Sequence, residues 1–241
     1  MGAGDLGTWK PGNLETQENP QGRDKTNMTV QERDDKAAQI LEICREKKLH
    51  IACAESLTAG LLADAFVRIP GASDVFLGSA VTYTDEEKMN VLGVDPSLLE
   101  TYGAVHPQVA RQMAQGVGKL YSRADEGYQD SVIGLATTGV AGPGPDDMGK
   151  PAGLVYIACA LPYGAQQRTQ VTDDEAADLQ EEIDYENSLR SRAYVAAYYI
   201  KELHCQGDRQ EVRERTVDAV LDLLLTKLKA QEQTVGYRQQ P

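Results

Sequence analysis

Ser56 stands between a short apolar run, Leu49-His50-Ile51-Ala52-Cys53-Ala54, and a segment in which Leu61, Leu62, Ala65 and Phe66 recur at helical spacing. A serine at a strand–helix junction is ordinarily an N-cap. The same place puts its hydroxyl at the carboxyl end of a strand, where open α/β sheets bind ligands. Helix N–H groups beside it could hold an oxyanion. Glu55, its neighbour, is a carboxylate able to orient a substrate hydroxyl or a nearby cation.

Tyr83 and Lys88 form a second pair. Thr84-Asp85-Glu86-Glu87 reads as a capping box with Thr84 as N-cap and Glu87 at N3. Tyr83 is then N′ and Lys88 N4, positions that meet across the helix entry, so the phenol and the lysine stem are expected to touch. A lysine in the first turn faces the positive end of the helix dipole. That disfavours the ammonium, as a lysine acting as general base requires. The plainer alternative is a surface lysine lying along an aromatic ring.

Thr137 to Gly144 follows a buried run directly, and glycine-rich backbone there can present N–H groups to an anion. Gly144 to Lys150 has phosphate-loop spacing, but Pro151 replaces the hydroxyl residue and a strand follows, so that reading fails. Ala54-Glu55-Ser56-Leu57-Thr58 is not a G-x-S-x-G elbow. His50, His106 and His204 have no metal-ligand spacing, and neither a catalytic metal nor a cofactor is expected.

The elements that must position these residues follow from periodicity. Helical spacing begins at Asp34, and a strand covers 49–54. A helix spans Ser56 to Val67, a strand Ser79 to Tyr83, and a helix follows Pro107. Strands lie at Val132–Thr137 and Gly153–Leu161, with a hairpin turn at Tyr163-Gly164 into Gln167–Thr172. Helices are expected over Asn187–Leu203 and from Gln210 to about Gln231, the last with an apolar stripe from Val217 to Leu228 that needs a partner surface. The sum is a three-layer α/β/α sandwich with a mixed, mostly parallel sheet and an extra C-terminal helix.

With 241 residues and a net charge of −13, the chain is suited to one large domain and unsuited to gripping a phosphate backbone, so direct nucleic-acid binding is disfavoured. Hydrophobic residues make up 41%, ordinary for a globular protein. No run has membrane-helix length, and residues 1–33 read as a disordered leader without a secretory h-region. Four scattered cysteines without a CxxC fit a reduced, cytoplasmic protein. Asp173 to Glu186 carries eight acidic residues and reads as a solvated connection.

Three segments together resemble a known family. Ala54 to Gly60 is similar to Ala-Glu-Ser-x-Thr-Gly-Gly. Val81 to Lys88 is similar to the Val-Thr-Tyr segment that ends in lysine, followed by Leu92-Gly93-Val94 and Tyr102-Gly103-Ala104-Val105. Thr138 to Pro143 and Lys150 to Val155 match its glycine-rich pair. The family is the C-terminal domain of the competence/damage-inducible protein CinA, which includes nicotinamide mononucleotide deamidases. The resemblance covers about residues 36–204. It implies an amidohydrolase with Ser56 as nucleophile, Lys88 as general base and Tyr83 as proton relay, with no cofactor. Substrate contacts would come from Glu55, Thr58, Gly60, Thr138, Gly139, Ala141, Gly142 and Arg190. Lys150, Arg190 and Arg168 are the candidates for a phosphate.

The resemblance also implies self-association as a homodimer or higher homo-oligomer and a small nucleotide as partner. The domains would be a leader over 1–33, a catalytic domain over 34–204 and a helical extension over 205–241, a stand-alone form without the family's other common domain. Leu57 and Ala59 stand where cysteine and glycine are usual. The family's Gly-Asp-Arg before its penultimate helix is expected to be lost, with acidic Asp184-Tyr185-Glu186 in its place. That loss, the acidic insertion and the added helix favour an alternative, a catalytically weak nucleotide-binding or regulatory module of a competence or DNA-damage response. An amidase for another substrate is the third reading.

Overall fold

Side chains alternate across a strand, and here large and small residues fall on opposite faces. Ile51 and Cys53, Ile133 and Leu135, and Ile157, Cys159 and Leu161 share one core. Ala52 and Ala54, Ala136, and Ala158 and Ala160 share the other. The computed structural model describes residues 14–15, 28–123, 126–128, 130–162, 194 and 196–236. Its strands are β1 (Leu14–Glu15), β2 (His50–Glu55), β3 (Phe76–Val81), β4 (Val132–Gly139), β5 (Leu154–Pro162) and β6 (Ala196–His204). Its α-helices are α1 (Val30–Glu46), α2 (Leu61–Val67), α3 (Asp85–Leu92), α4 (Pro96–Tyr102), α5 (Pro107–Ser122) and α6 (Arg209–Gly236).

The sheet runs β1-β6-β5-β4-β2-β3. β2 is parallel to β3 and β4, β5 is antiparallel to β4 and β6, and the two-residue β1 is parallel to β6. The mixed sheet with helices on both faces is the architecture expected from the sequence. Helices α1, α2 and α6 cover the face of large residues, and α3, α4 and α5 cover the other.

The small residues let α5 approach closely. A Cβ on Gly134 would stand 2.0 Å from the Ala114 carbonyl, and one on Gly116 2.1 Å from that of Leu92. Pro107 occupies the first turn of α5 and His106 caps it.

Several boundaries differ from expectation. α1 begins before Asp34, at Val30, because Thr29 and Glu32 form a complete capping box. Met28 and Arg33, within the expected leader, bond to Asp218 of α6. Residues 1–13 and 16–27 of that leader lie outside the described residues. The helix expected over Asn187–Leu203 is corrected, since Ala196–His204 is strand β6. The Tyr198-Tyr199-Ile200 run suits a pleated surface, and its pairing with β5 outweighs the alanines' helical preference. That pairing fills the place beside β5 expected for Gln167–Thr172, which, like the acidic run, lies outside the described residues.

The last helix is not an appendage. Val212, Val217, Val220, Leu221, Leu224 and Leu228 are buried in the same core as α1, β4 and β5. Among the described residues no helix is long and apolar enough to cross a membrane.

Candidate active site

β2 ends at Glu55, and Ser56 opens a five-residue turn before α2, shortening the helix expected from Ser56. The cause is local backbone. Gly60 has φ +97° and Ala59 φ +46°, both left-handed and incompatible with a continuing helix. Glycine is the unstrained residue at such a position, which gives a physical reason for the family's usual glycine where this chain has Ala59.

Glu55 is fully buried. Its carboxylate accepts hydrogen bonds from the N–H groups of Gly60 (2.9 Å), Leu62 (3.0 Å) and Ala63 (3.0 Å) and from the Ser79 hydroxyl (2.8 Å). It therefore caps α2 from the preceding strand, with its lone pairs engaged within the protein. Thr58 is buried with its hydroxyl 2.8 Å from that of Thr137. Glu55, Thr58 and Gly60 thus support the turn from behind and are not among the residues that line the cavity.

That cavity, about 530 Å³, opens at the carboxyl ends of β2 and β4. Ser56, Leu57, Tyr83, Asp85 and Lys88 line it together with the 138–148 loop and Arg209. Ser56 is 8% exposed, and its N–H donates to the Thr137 carbonyl at 3.0 Å. Thr138, Gly139, Ala141 and Gly142 are all lining residues. The Thr138 hydroxyl donates to Ala104 O at 2.8 Å, tying this wall to the entry of α5. Gly139 has a packing reason to be glycine, since a Cβ would stand 2.6 Å from Val155 Cγ2. The N–H groups of Leu57, Thr58, Ala141 and Gly142 find no acceptor among the described residues.

Lys88 is 1% exposed. Its Nζ donates to the carbonyls of Thr82 (3.1 Å), Tyr83 (3.3 Å) and Thr84 (3.4 Å), and Asp85 Oδ1 lies 3.8 Å away. Burial holds its pKa below that of a free lysine, while Asp85 opposes the shift. The three carbonyls match the three N–H bonds of an ammonium. No hydrogen bond joins Nζ to Ser56 among the described residues. The N-cap at Thr84 is as expected, its hydroxyl accepting from Glu87 N at 3.4 Å. The expected meeting of phenol and lysine takes another form: Lys88 reaches Tyr83 through its backbone carbonyl, and the phenol oxygen accepts from Arg209 Nη2 at 2.8 Å.

Arg209 is the residue that sequence reading missed. Its Nη1 also donates to Gly142 O at 2.6 Å, so it bridges two walls of the cavity. The expected loss of Gly-Asp-Arg is corrected here. Gly207-Asp208-Arg209 opens α6, with the Asp208 carboxylate accepting from Gln210 N (2.8 Å) and Glu211 N (2.9 Å). A helix over 187–203 would put the triplet before Asn187, and strand β6 in its place moves the triplet to the start of α6. Asp208 followed by Glu211 is the cap signal that could have located it.

Arg190 and Arg168 lie outside the described residues. Lys150 donates to the carbonyls of Tyr102 and Val105, the latter at 2.7 Å, and pins the loop without lining the cavity.

The CinA C-terminal domain family matches residues 33–186. The chain belongs to that family. Among its relatives, the putative competence-damage inducible protein of Clostridium acetobutylicum is 39% identical over 177 residues, covering 73% of this chain and 33% of that protein. The protein of that name from Thermoanaerobacter sp. strain X514 is 36% identical over 185 residues, 77% of this chain and 35% of its own. The CinA-family chain thus spans about a third of the length of these relatives. The structure of the competence/damage inducible protein CihA from Agrobacterium tumefaciens superposes with a TM-score of 0.59 at 29% identity, covering 85% of this chain and 99% of that one. A CinA superfamily protein from Klebsiella pneumoniae, at 23% identity and a TM-score of 0.62, covering 84% of this chain and 99% of its own, shares the fold.

Proposed function

We propose that this chain is an amidohydrolase that converts nicotinamide mononucleotide and water to nicotinate mononucleotide and ammonia. The observation that carries the reading is the placing of Ser56 and a desolvated Lys88 on one cavity with Tyr83 and a cationic anchor, Arg209.

When Lys88 loses its proton, Nζ keeps two N–H bonds and gains a lone pair, which repels one of its three carbonyls. The amine is then free to turn to Ser56 and take the Oγ proton. Oγ attacks the carboxamide carbon, and the free N–H of Leu57, which lines the cavity, supplies a donor for the oxyanion. The proton passes from Lys88 to the leaving nitrogen, and the C–N bond breaks to release ammonia. Water, deprotonated by the same lysine, cleaves the nicotinoyl ester and returns the proton to Ser56. Arg209, at the mouth and beside Gly142, holds the phosphate, and Tyr83, relieved of Arg209, passes protons between Lys88 and the leaving group.

The regulatory alternative loses two of its three supports, since Gly-Asp-Arg is present and the last helix belongs to the core. The test is ammonia release from nicotinamide mononucleotide. The expected result is turnover by the wild type and none above background by Ser56→Ala or Lys88→Ala. A wild type that binds the nucleotide without turnover would favour the regulatory module, and turnover of other amides alone would favour a different substrate.

A further inference from the structure

One turn after Arg209 on α6 lies Arg213, which does not line the cavity. Its Nε donates to Leu57 O at 2.9 Å and its Nη2 to Thr58 O at 2.8 Å, so one planar fork grips the two carbonyls that follow Ser56. Nη1 donates to Gln210 Oε1 at 2.7 Å, which leaves the guanidinium little freedom. A trans peptide points its carbonyl and its N–H in opposite directions. Holding Leu57 O against α6 therefore turns the Thr58 N–H away from α6. The Ser56 carbonyl is likewise held, by Ala59 N at 3.2 Å, which fixes the Leu57 N–H.

Of these two N–H groups, that of Leu57 belongs to a residue that lines the cavity, and it finds no acceptor among the described residues.

We propose that Arg213 is the positioning residue of this active site. Through Leu57 O and Thr58 O it fixes the Ser56–Thr58 turn, so that the N–H of Leu57 is pre-aimed at the oxyanion formed on Ser56. The inference rests on Ser56 being the nucleophile proposed above, but not on the identity of the amide. Arg213 touches no substrate, and its loss acts on the chemical step.

The experiment compares wild type, Arg213→Ala and Arg213→Lys in two assays. The first is steady-state turnover of nicotinamide mononucleotide. The second is the rate at which a fluorophosphonate labels Ser56, with Ser56→Ala as blank. Removing one oxyanion donor typically costs about 100- to 1,000-fold in kcat. A donor left in place but loosened is expected to cost ~10- to 100-fold in kcat and in labelling rate, with KM changed less than about threefold. Arg213→Lys keeps the charge but cannot span two carbonyls, so it is expected to stay impaired. Millimolar guanidinium is expected to restore part of both rates to Arg213→Ala. A purely structural role would show as a lower melting temperature without that rescue.

Variants that keep wild-type kcat and labelling rate would overturn the proposal, as would a loss seen only in KM. If Arg213→Ala fails to fold, Arg213→Lys decides in the same way. A wild type that labels in an Arg213-dependent way but leaves the nucleotide intact would overturn the deamidase and support Arg213. A wild type that neither turns over nor labels would overturn both.

Discussion

Asp85→Asn tests the electrostatics of Lys88 directly. Asp85 Oδ1 lies 3.8 Å from Nζ, and the carboxylate is 46% exposed while the lysine is 1% exposed. Coulomb's law at that separation gives about 1 kcal/mol at the dielectric of water and ~2 kcal/mol at half of it. At 1.36 kcal/mol per pH unit, removing the charge lowers the lysine pKa by roughly one unit. The sign follows from the roles. In the proposed mechanism the active base is the neutral amine, so the rate is expected to rise with pH and level off above the lysine's pKa. Burial already moves that rise below the pH of a free lysine, and Asp85 opposes it. Asparagine is therefore expected to move the rising limb of kcat about one pH unit lower.

The assay is ammonia release at saturating nucleotide across the pH range, at constant ionic strength, for both proteins. Salt at 1 M should shrink the difference, because the carboxylate faces solvent. A limb that stays in place, or moves to higher pH, would refute Lys88 as the base. The variant also removes an acid from the first turn of α3, a loss of about 0.3–1 kcal/mol that a melting curve reports separately.

Three further outcomes are expected. Arg209→Ala removes a cation from the cavity mouth and should raise KM for the mononucleotide by ~10-fold or more, a charged hydrogen bond being worth about 1.5–3 kcal/mol; the dephosphorylated nucleoside, compared in the same assay, should feel little of that change. Ala59→Gly relieves a left-handed alanine and should stabilise the protein by roughly 0.5–1 kcal/mol in urea unfolding, with activity retained. Glu55→Ala leaves buried N–H groups of α2 without an acceptor and should cost about 2–4 kcal/mol in the same measurement, whereas a substrate-binding role alone would leave stability unchanged.

The strands that end beside Ser56 and Thr138 were legible because a buried strand is a short apolar run ending in a turn. The alternation of Ile51 and Cys53 against Ala52 and Ala54 fixes which face each helix covers. The N-cap at Thr84, and with it the place of Lys88 in the first turn, depends on residues three and four apart and was equally legible. Residue order also carried the family motifs. Local patterning misled at Ala196–His204, where alanines and tyrosines suit helix and strand alike and only β5 decides between them.

Tertiary structure alone decided what lies across the chain. Arg209 and Arg213 reach Tyr83, Gly142, Leu57 and Thr58 over more than sixty residues, and over 150 in Arg213's case. No periodicity encodes such a contact. It exists because α6 buries Val212, Val217 and Leu221 against the sheet, which turns the opening of the helix toward the cavity. Glu55 shows the same division. Its residue type announced a carboxylate beside Ser56. Only the fold around it, with three backbone N–H groups and the Ser79 hydroxyl within 3.0 Å, made that carboxylate a helix cap.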